Sequence, residues 1–414
     1  MNMNIVNKIF ILACVIAVGV GAAQAQIVTS PYSKTGYGLL TDNASSIQRS
    51  MGSVGYAMRG GRIVNAMNPA SYANVDSLTF LWDVGVDFTN LWSKENGNSG
   101  YNFGGGLDYL TAHFRVMKGL GMSFGLLPYS SVGYSYGSSL DNGAESRTGS
   151  GGINQLYIGA GYEPIKGLSV GANVAYMFGT VSNLTTIAST STSYFTRNMK
   201  VRDWNLVLGA QYTMPVGTTD RATVGITFQP KKSFHGNSWG TTYDTQDSKV
   251  DTVQYLSMNG NYQQPATIGL GVSYTWNRKL TAEVDYTFQQ WSKAKYTPIT
   301  GFESQSMKFN DRWRLAAGLQ YTPNKRGSYV GAMSFRAGAF YNNDYMNIAG
   351  NKVRDYGLTV GVGLPAPNSK TTINLGVEWR HRETSPTNLI AENYLNITLG
   401  VNFNELWFWK SRIR

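Results

Sequence analysis

The chain has a single cysteine, Cys14, and it lies inside an N-terminal stretch that reads as a secretory signal. Lys8 is the only charge among the first 25 residues, Ile9 to Val20 is an apolar core, and Ala23-Gln24-Ala25 fits a signal-peptidase site. Ile11-Leu12-Ala13-Cys14 resembles a lipoprotein cleavage site only loosely, because the apolar core continues past it. A mature chain starting at Gln26 holds no thiol, which excludes disulfides and thiol chemistry. Charge is scarce too. Charged residues make up 14%, against about 25% in soluble domains. The net charge of +11 is spread without a dense basic run, so nucleic acid is not an expected partner. His113, His235 and His381 share no metal-ligand spacing. No Ser-His-Asp order stands out, and no nucleophile elbow G-x-S-x-G is expected. Gly104-Gly105-Gly106 and Gly149-Ser150-Gly151-Gly152 precede no helix that could cradle a phosphate. No enzyme, metal or cofactor is therefore expected.

What is abundant is glycine (47), tyrosine (26), phenylalanine (17) and tryptophan (10), arranged with a period of two. Leu280, Ala282, Val284, Tyr286 and Phe288 interleave with Thr281, Glu283, Asp285, Thr287 and Gln289. Ile373, Leu375, Val377 and Trp379 interleave with Asn374, Gly376, Glu378 and Arg380. One face of such a strand meets an apolar medium and the other a polar one. Segments of about ten residues suit a lipid-spanning barrel. About fourteen strands are predicted, beginning near Leu78, Gly106, Gly121, Gly152, Gly167, Val201, Arg221, Ala266, Leu280, Lys308, Tyr329, Val353, Thr371 and Tyr394. After even-numbered strands the links are short turn formers such as Lys118-Gly119 and Asn277-Arg278. After odd-numbered strands they read as long, polar and rich in Asn, Ser and Thr. Short periplasmic turns and long external loops characterise outer-membrane barrels.

The expected fold class is all-β: a transmembrane antiparallel β-barrel of about 14 strands with an N-terminal hatch, or plug, in the lumen. The expected boundaries are a signal peptide at 1–25, a hatch at 26–77, the barrel at 78–403 and a periplasmic aromatic and basic tail at 404–414. A periplasmic tail is the alternative for 26–77, but a fourteen-strand lumen is too wide for its own side chains to fill. The C-terminal tail reads either as an interfacial anchor or as a contact for a partner.

If apolar side chains face lipid, strand parity turns Asp83, Asp87, His113, Arg115, Glu283, Asp285, Arg314, Arg336, Glu378 and Arg380 toward the lumen. Five acids and four permanent bases there suggest ion-paired networks between wall and plug. Phe340 has inward parity and is a candidate for an apolar pocket. Pro128 falls inside the third predicted strand. Proline cannot donate to a ladder, so it marks either a local break in the wall or the strand's end at the membrane boundary.

Met51-Gly52 through Gly55, with Asn65-Ala66-Met67-Asn68-Pro69-Ala70-Ser71, resembles the plug-to-first-strand signature of the FadL/TodX outer-membrane hydrophobic-compound transporters. Gly151-Gly152-Ile153-Asn154, Leu168-Ser169-Val170-Gly171, Gln264-Pro265-Ala266 and Asp285-Tyr286 leading to Trp291-Ser292 are similar to the same family. Ser30-Pro31-Tyr32-Ser33, Gly36-Tyr37-Gly38 and Asn404-Glu405-Leu406-Trp407-Phe408 resemble its Bacteroidota branch, which includes PorV-like protein-binding subunits. The resemblance implies an outer-membrane location in a Gram-negative cell, Asn68, Pro69 and Ala70 as the hatch motif, and lateral release at a kinked third strand where Pro128 stands. Two functions follow. One is passive uptake of hydrophobic molecules such as long-chain fatty acids. The other is a non-transporting subunit of a larger complex for protein secretion or outer-membrane protein assembly. The partners are a hydrophobic ligand or lipid, the outer membrane and, in the second case, other complex subunits.

Overall fold

Ten residues of alternating polarity are enough to cross a hydrocarbon layer at a tilt, and four strands have that length. The computed structural model describes residues 30–245, 250–297, 299, 307–324, 328–367 and 370–406. The expected signal peptide therefore lies outside the described residues. A two-residue strand, β1 (Leu39–Leu40), sits in the N-terminal segment. The wall begins with β2 (Thr79–Glu95), β3 (Asn98–Met117), β4 (Leu120–Leu140), β5 (Gly143–Ile165), β6 (Leu168–Ala188), β7 (Thr192–Val216) and β8 (Asp220–Gln229). Four outlying strands follow: β9 (Lys232–Ser233), β10 (Gly236–Asp244), β11 (Val250–Ser257) and β12 (Gln263–Gln264). The wall resumes with β13 (Thr267–Trp276), β14 (Leu280–Gln289), β15 (Arg312–Tyr321), β16 (Ser334–Ile348), β17 (Asn351–Pro365), β18 (Thr372–Ser385) and β19 (Ala391–Leu406). Each wall strand pairs antiparallel with the next, and β19 closes onto β2, giving a closed barrel of 14 strands. Closure removes the sheet edges that hydrocarbon cannot hydrogen-bond.

Parity holds along the wall. Leu270, Val284, Leu315 and Leu358 project outward and exposed, while Glu283, Asp285, Arg314 and Glu378 are buried inside. Tyr162, Tyr212, Trp276 and Tyr321 stand exposed beside the short turns, as an interfacial aromatic girdle does.

Three predicted long loops are instead continued strand. β2 to β7 run 17 to 25 residues, well beyond the roughly 9–11 tilted residues that cross the hydrocarbon. The Asn- and Ser-rich stretches pair above the membrane, where both faces meet water and no apolar period is required. β10 then continues the sheet against the upper part of β7. The predicted tail boundary also moves. Asn404, Glu405 and Leu406 pair with Leu81, Phe80 and Thr79, so the barrel extends to 406, and 407–414 lie outside the described residues.

The N-terminal segment occupies the lumen. Near the far rim Ser30 donates its N–H to Gly133 O at 2.6 Å and its hydroxyl to Glu392 Oε1 at 2.8 Å. A short helix, α1 (Ser46–Arg49), begins where the N–H of Ser45 donates to Gln48 Oε1 at 2.8 Å. A 3-10 turn, Pro69–Asn74, rests near the short-turn end. Asn68 Oδ1 accepts from Ala70 N at 3.1 Å while its amide donates to Tyr56 O at 2.7 Å. Pro69 supplies the first turn residue, where a missing N–H costs nothing. Inward glycines of the wall make room for this turn. A Cβ on Gly171 would sit 2.5 Å from the Pro69 carbonyl, and one on Gly121 would sit 2.0 Å from Tyr72 O.

Candidate functional site

Next to Pro128 the wall parts. The ladder between β3 and β4 runs only from Met117↔Leu120 to Leu110↔Leu126. Beyond it, β3 stays paired with β2 as far as Asn98, and β4 with β5 as far as Leu140. Pro128 has no N–H to donate, and the β4–β5 register shifts between Pro128 and Ser130, leaving Tyr129 as an extra residue. The N-terminal segment covers the freed edge of β4. Leu39 and Leu40 pair with Ser131 and Ser130, and Thr41 N donates to Tyr129 O at 3.0 Å.

Behind this seam lies a cavity of about 870 Å³, bounded by both of its margins: Leu107 and Asp108 on β3, and Leu126, Pro128 and Ser130 on β4. The rest of its lining is largely ionic, and the ion pairs reach the seam itself at Asp108. Asp42 of the N-terminal segment lies 3.3 Å from both Arg312 and Arg314. Arg49 pairs with Asp108 at 2.7 Å, and Arg380 with Glu378 at 2.8 Å. Arg382 lies 3.9 Å from both Asp344 and Asp355. At the far end an aromatic cluster closes the lumen. Trp291 stacks on Tyr345 with ring centroids 4.5 Å apart, and Tyr37 meets Phe234 and Tyr296 edge-on at 5.2 and 5.3 Å.

The charges expected in the lumen fall into three groups. Asp87, Arg314, Glu378 and Arg380 line the cavity. Glu283 and Asp285 do not form the expected ion pairs. Asp285 Oδ2 accepts from the N–H groups of Gly55 (2.6 Å) and Tyr56 (2.9 Å), and Glu283 Oε1 accepts from Ala57 N at 2.9 Å. Asp83 accepts from Tyr109 OH at 3.0 Å, Arg336 donates to Gln320 and Asn374, and His113 Nε2 lies 3.1 Å from Tyr72 O. These five serve packing or anchoring, since buried polar groups need partners. Arg115 has inward parity but sits at the rim, bonded to Ser77 and to Met117 O. Phe340 faces inward but is packed against the N-terminal segment and is flanked by the guanidiniums of Arg314 (4.7 Å) and Arg380 (5.0 Å), so it lines no apolar pocket. Contrary to that expectation, G-x-S-x-G is spelled four times, at 121–125, 133–137, 167–171 and 236–240, but the runs lie in β4, at the start of β6 and in β10 rather than at a strand-to-helix elbow.

Several site residues escaped sequence reading. Asp355 and Arg382 share the inward parity of Thr359 and Glu378 and were within its reach. Asp108 was not. The β2–β3 register shifts there, with Gly85 facing Tyr109 and Val86 facing Leu107, so Asp108 and Tyr109 are both buried. Asp42 and Arg49 belong to a segment with no period at all.

Burial alone would raise the pKa of Asp42. Arg314, and then Arg312, outweigh it and hold the carboxyl well below the usual carboxylate range. A depressed pKa stabilises docking of the segment above the ordinary aspartate value of about 4 and loses that contribution as the pH falls through the native value. Hydrogen exchange at residues 42–52, corrected for intrinsic rate, is expected to be level between about pH 5 and 8 and to accelerate below about pH 4. Asp42→Asn should remove that step. A wild-type profile level to the acid limit would contradict this.

A family model described as BamG matches residues 5–414. No curated protein matches the chain. Among solved structures, the barrel is similar to the toluene transporter TodX of Pseudomonas putida (15% identity, covering 89% of this chain and 100% of TodX, TM-score 0.61). It is also similar to a Pseudomonas aeruginosa FadL homologue (13%, 88% and 99%, 0.61) and to the toluene transporter TbuX of Ralstonia pickettii (15%, 87% and 98%, 0.59). At these identities the likeness concerns the fold, which is that of the FadL-type outer-membrane barrels.

Proposed function

The chain belongs to the BamG family. We propose that it is an outer-membrane conduit for hydrophobic molecules such as long-chain fatty acids, with release sideways into the bilayer between β3 and β4. The observation that carries this reading is the cavity bounded by both margins of an unpaired seam. A carboxylate could pair with Arg312 or Arg380 while its chain lies along Leu40, Leu107 and Leu126 toward lipid. Residues 30–77 act as the hatch, with Asn68, Pro69 and Ala70 seating its lower turn, and the short turns face the periplasm. The Bacteroidota branch is part of the proposal. No cofactor or catalytic step is needed.

The test locks the hatch strand to the seam. Leu39 and Ser131 are direct antiparallel partners, within reach of a disulfide. Leu39→Cys/Ser131→Cys, oxidised, should reduce oleate uptake into proteoliposomes several-fold, and reductant should restore it. Uptake insensitive to the lock refutes the route.

A second reading is supported by the closed aromatic end, the many hatch-to-wall bonds and the tall sheet of β4 to β7 with β10. In it the barrel is a non-transporting subunit of a larger outer-membrane complex, for protein secretion or outer-membrane protein assembly, and the projecting sheet docks its partner. A stoichiometric partner in a gentle-detergent pull-down, with oleate uptake at the empty-liposome level, selects this reading. A monomer that transports oleate selects the first.

A further inference from the structure

We propose that the cavity behind the β3–β4 seam seats the headgroup of a zwitterionic membrane amphiphile, one carrying both a phosphate and a primary ammonium, whose acyl chains remain in the bilayer across the seam. This rests on the reading of the seam as open to lipid, and it narrows the ligand class that the site takes.

The charge of the lining favours an occupant that carries both signs over a purely anionic or purely apolar one. Five arginines and six carboxylates face the cavity. A hydrocarbon entering alone would desolvate these groups and return no hydrogen bond. A lone carboxylate would satisfy arginines while adding to the repulsion among the acids. A head bearing both signs meets both sets.

The unpartnered atoms have the same two-signed character. Arg380 Nε and Arg382 Nε have no acceptor, and Asp108 Oδ2 and Asn396 Oδ1 have no donor; all four atoms are buried within the lining, so a headgroup meets them only as these side chains turn toward the cavity. All four residues line the cavity. Arg382 and Asp108 are more than nine-tenths buried, where an unsatisfied polar atom is costly. Guanidinium groups suit a phosphate and a carboxylate suits an ammonium. Asp108 stands on the bulge at the seam's own margin, so the polar seat begins where the apolar lip of Leu39, Leu107 and Leu126 ends. A volume of about 870 Å³ lies within the range of about 300–1,000 Å³ common for small-molecule sites and leaves room for a glycerol-linked head.

The experiment reconstitutes the full barrel in nanodiscs of equal phosphatidylethanolamine and phosphatidylglycerol with a trace of oleate. Lipid still bound after release is then read by native mass spectrometry. The expected result is retention of phosphatidylethanolamine over phosphatidylglycerol by several-fold. Asp108→Asn should reduce that preference several-fold while the heat-modifiable gel mobility of the folded barrel is unchanged. Leu126→Trp, an outward residue at the lip, provides a second variant that should reduce retention without altering the ionic wall. Equal retention of the two lipids, or a preference indifferent to both variants, overturns the proposal. Preferential retention of oleate overturns the headgroup class and leaves the uptake route standing. Displacement by soluble glycerophosphoethanolamine would identify a chain-free occupant and overturn the geometry across the seam. If instead the hatch lock leaves oleate uptake intact while the phosphatidylethanolamine preference persists, the uptake route fails and the headgroup seat stands.

Discussion

Asp285→Ala is expected to release the middle of the hatch from the wall while the barrel stays closed. One oxygen of Asp285 accepts two hatch N–H groups, from Gly55 at 2.6 Å and Tyr56 at 2.9 Å. Both donors are buried, so the alanine leaves them without the acceptor that the wall supplied. Two stranded donors cost about 1–3 kcal/mol each, so the local loss is about 2–6 kcal/mol. The wall has no comparable stake in Asp285. The ladders β13–β14 and β14–β15 are complete over ten pairs each, and the alanine remains in register. Hydrogen-exchange mass spectrometry should therefore show lost protection at Ser53–Met58, with β14 and its neighbours unchanged. Asp285→Asn should be milder, because an amide oxygen still accepts, though without the charge that strengthens such bonds. Glu283→Gln keeps an amide oxygen to accept from Ala57 N and should rank below both. Unchanged protection at Ser53–Met58 in Asp285→Ala would show that the hatch is held by its apolar contacts alone.

The roles of Glu283 and Asp285 mark where sequence reading succeeds and where it stops. Their inward direction follows from alternation, because lipid tolerates only the apolar face. The same rule makes β8, β13 and β14 legible almost to the residue, and β15 to within four. The partner of an inward carboxylate is another matter. It is set by a segment without periodicity whose path depends on the finished wall. A guanidinium was therefore expected where backbone N–H groups stand. The upper halves of β2 to β7 were read as loops for a related reason: once both faces of a strand meet water, no apolar rhythm distinguishes it from a polar loop. Asp108 shows a third limit, since a single bulge reverses parity. The pattern of glycines was visible, but its meaning, a wall cut back for the hatch backbone at Gly121 and Gly171, required the hatch to be in place.

The other large effect is expected at the opposite end of the lumen. Trp291 is 1% exposed and lies among Tyr345, Phe309 and Tyr37, with ring centroids at 4.5, 5.7 and 5.6 Å. Truncating such a side chain costs about 3–5 kcal/mol, because the rings around it cannot close the void from a wall of fixed circumference. Exchange at Tyr37 and Tyr345 in Trp291→Ala should accelerate by about a hundred- to several-thousandfold. Trp291→Phe, which retains a ring, should recover most of the protection. The functional consequence separates the two readings of the barrel. If the aromatic cluster is the outer gate of a conduit, loosening it removes a barrier and oleate uptake rises. If the barrel is a fixed subunit, the same loosening leaves uptake at the level of empty liposomes and weakens whatever binds the projecting sheet. Protection unchanged in Trp291→Ala would mean that the cluster is not what closes the far end, and the cap would then have to be sought in the β9–β12 connection.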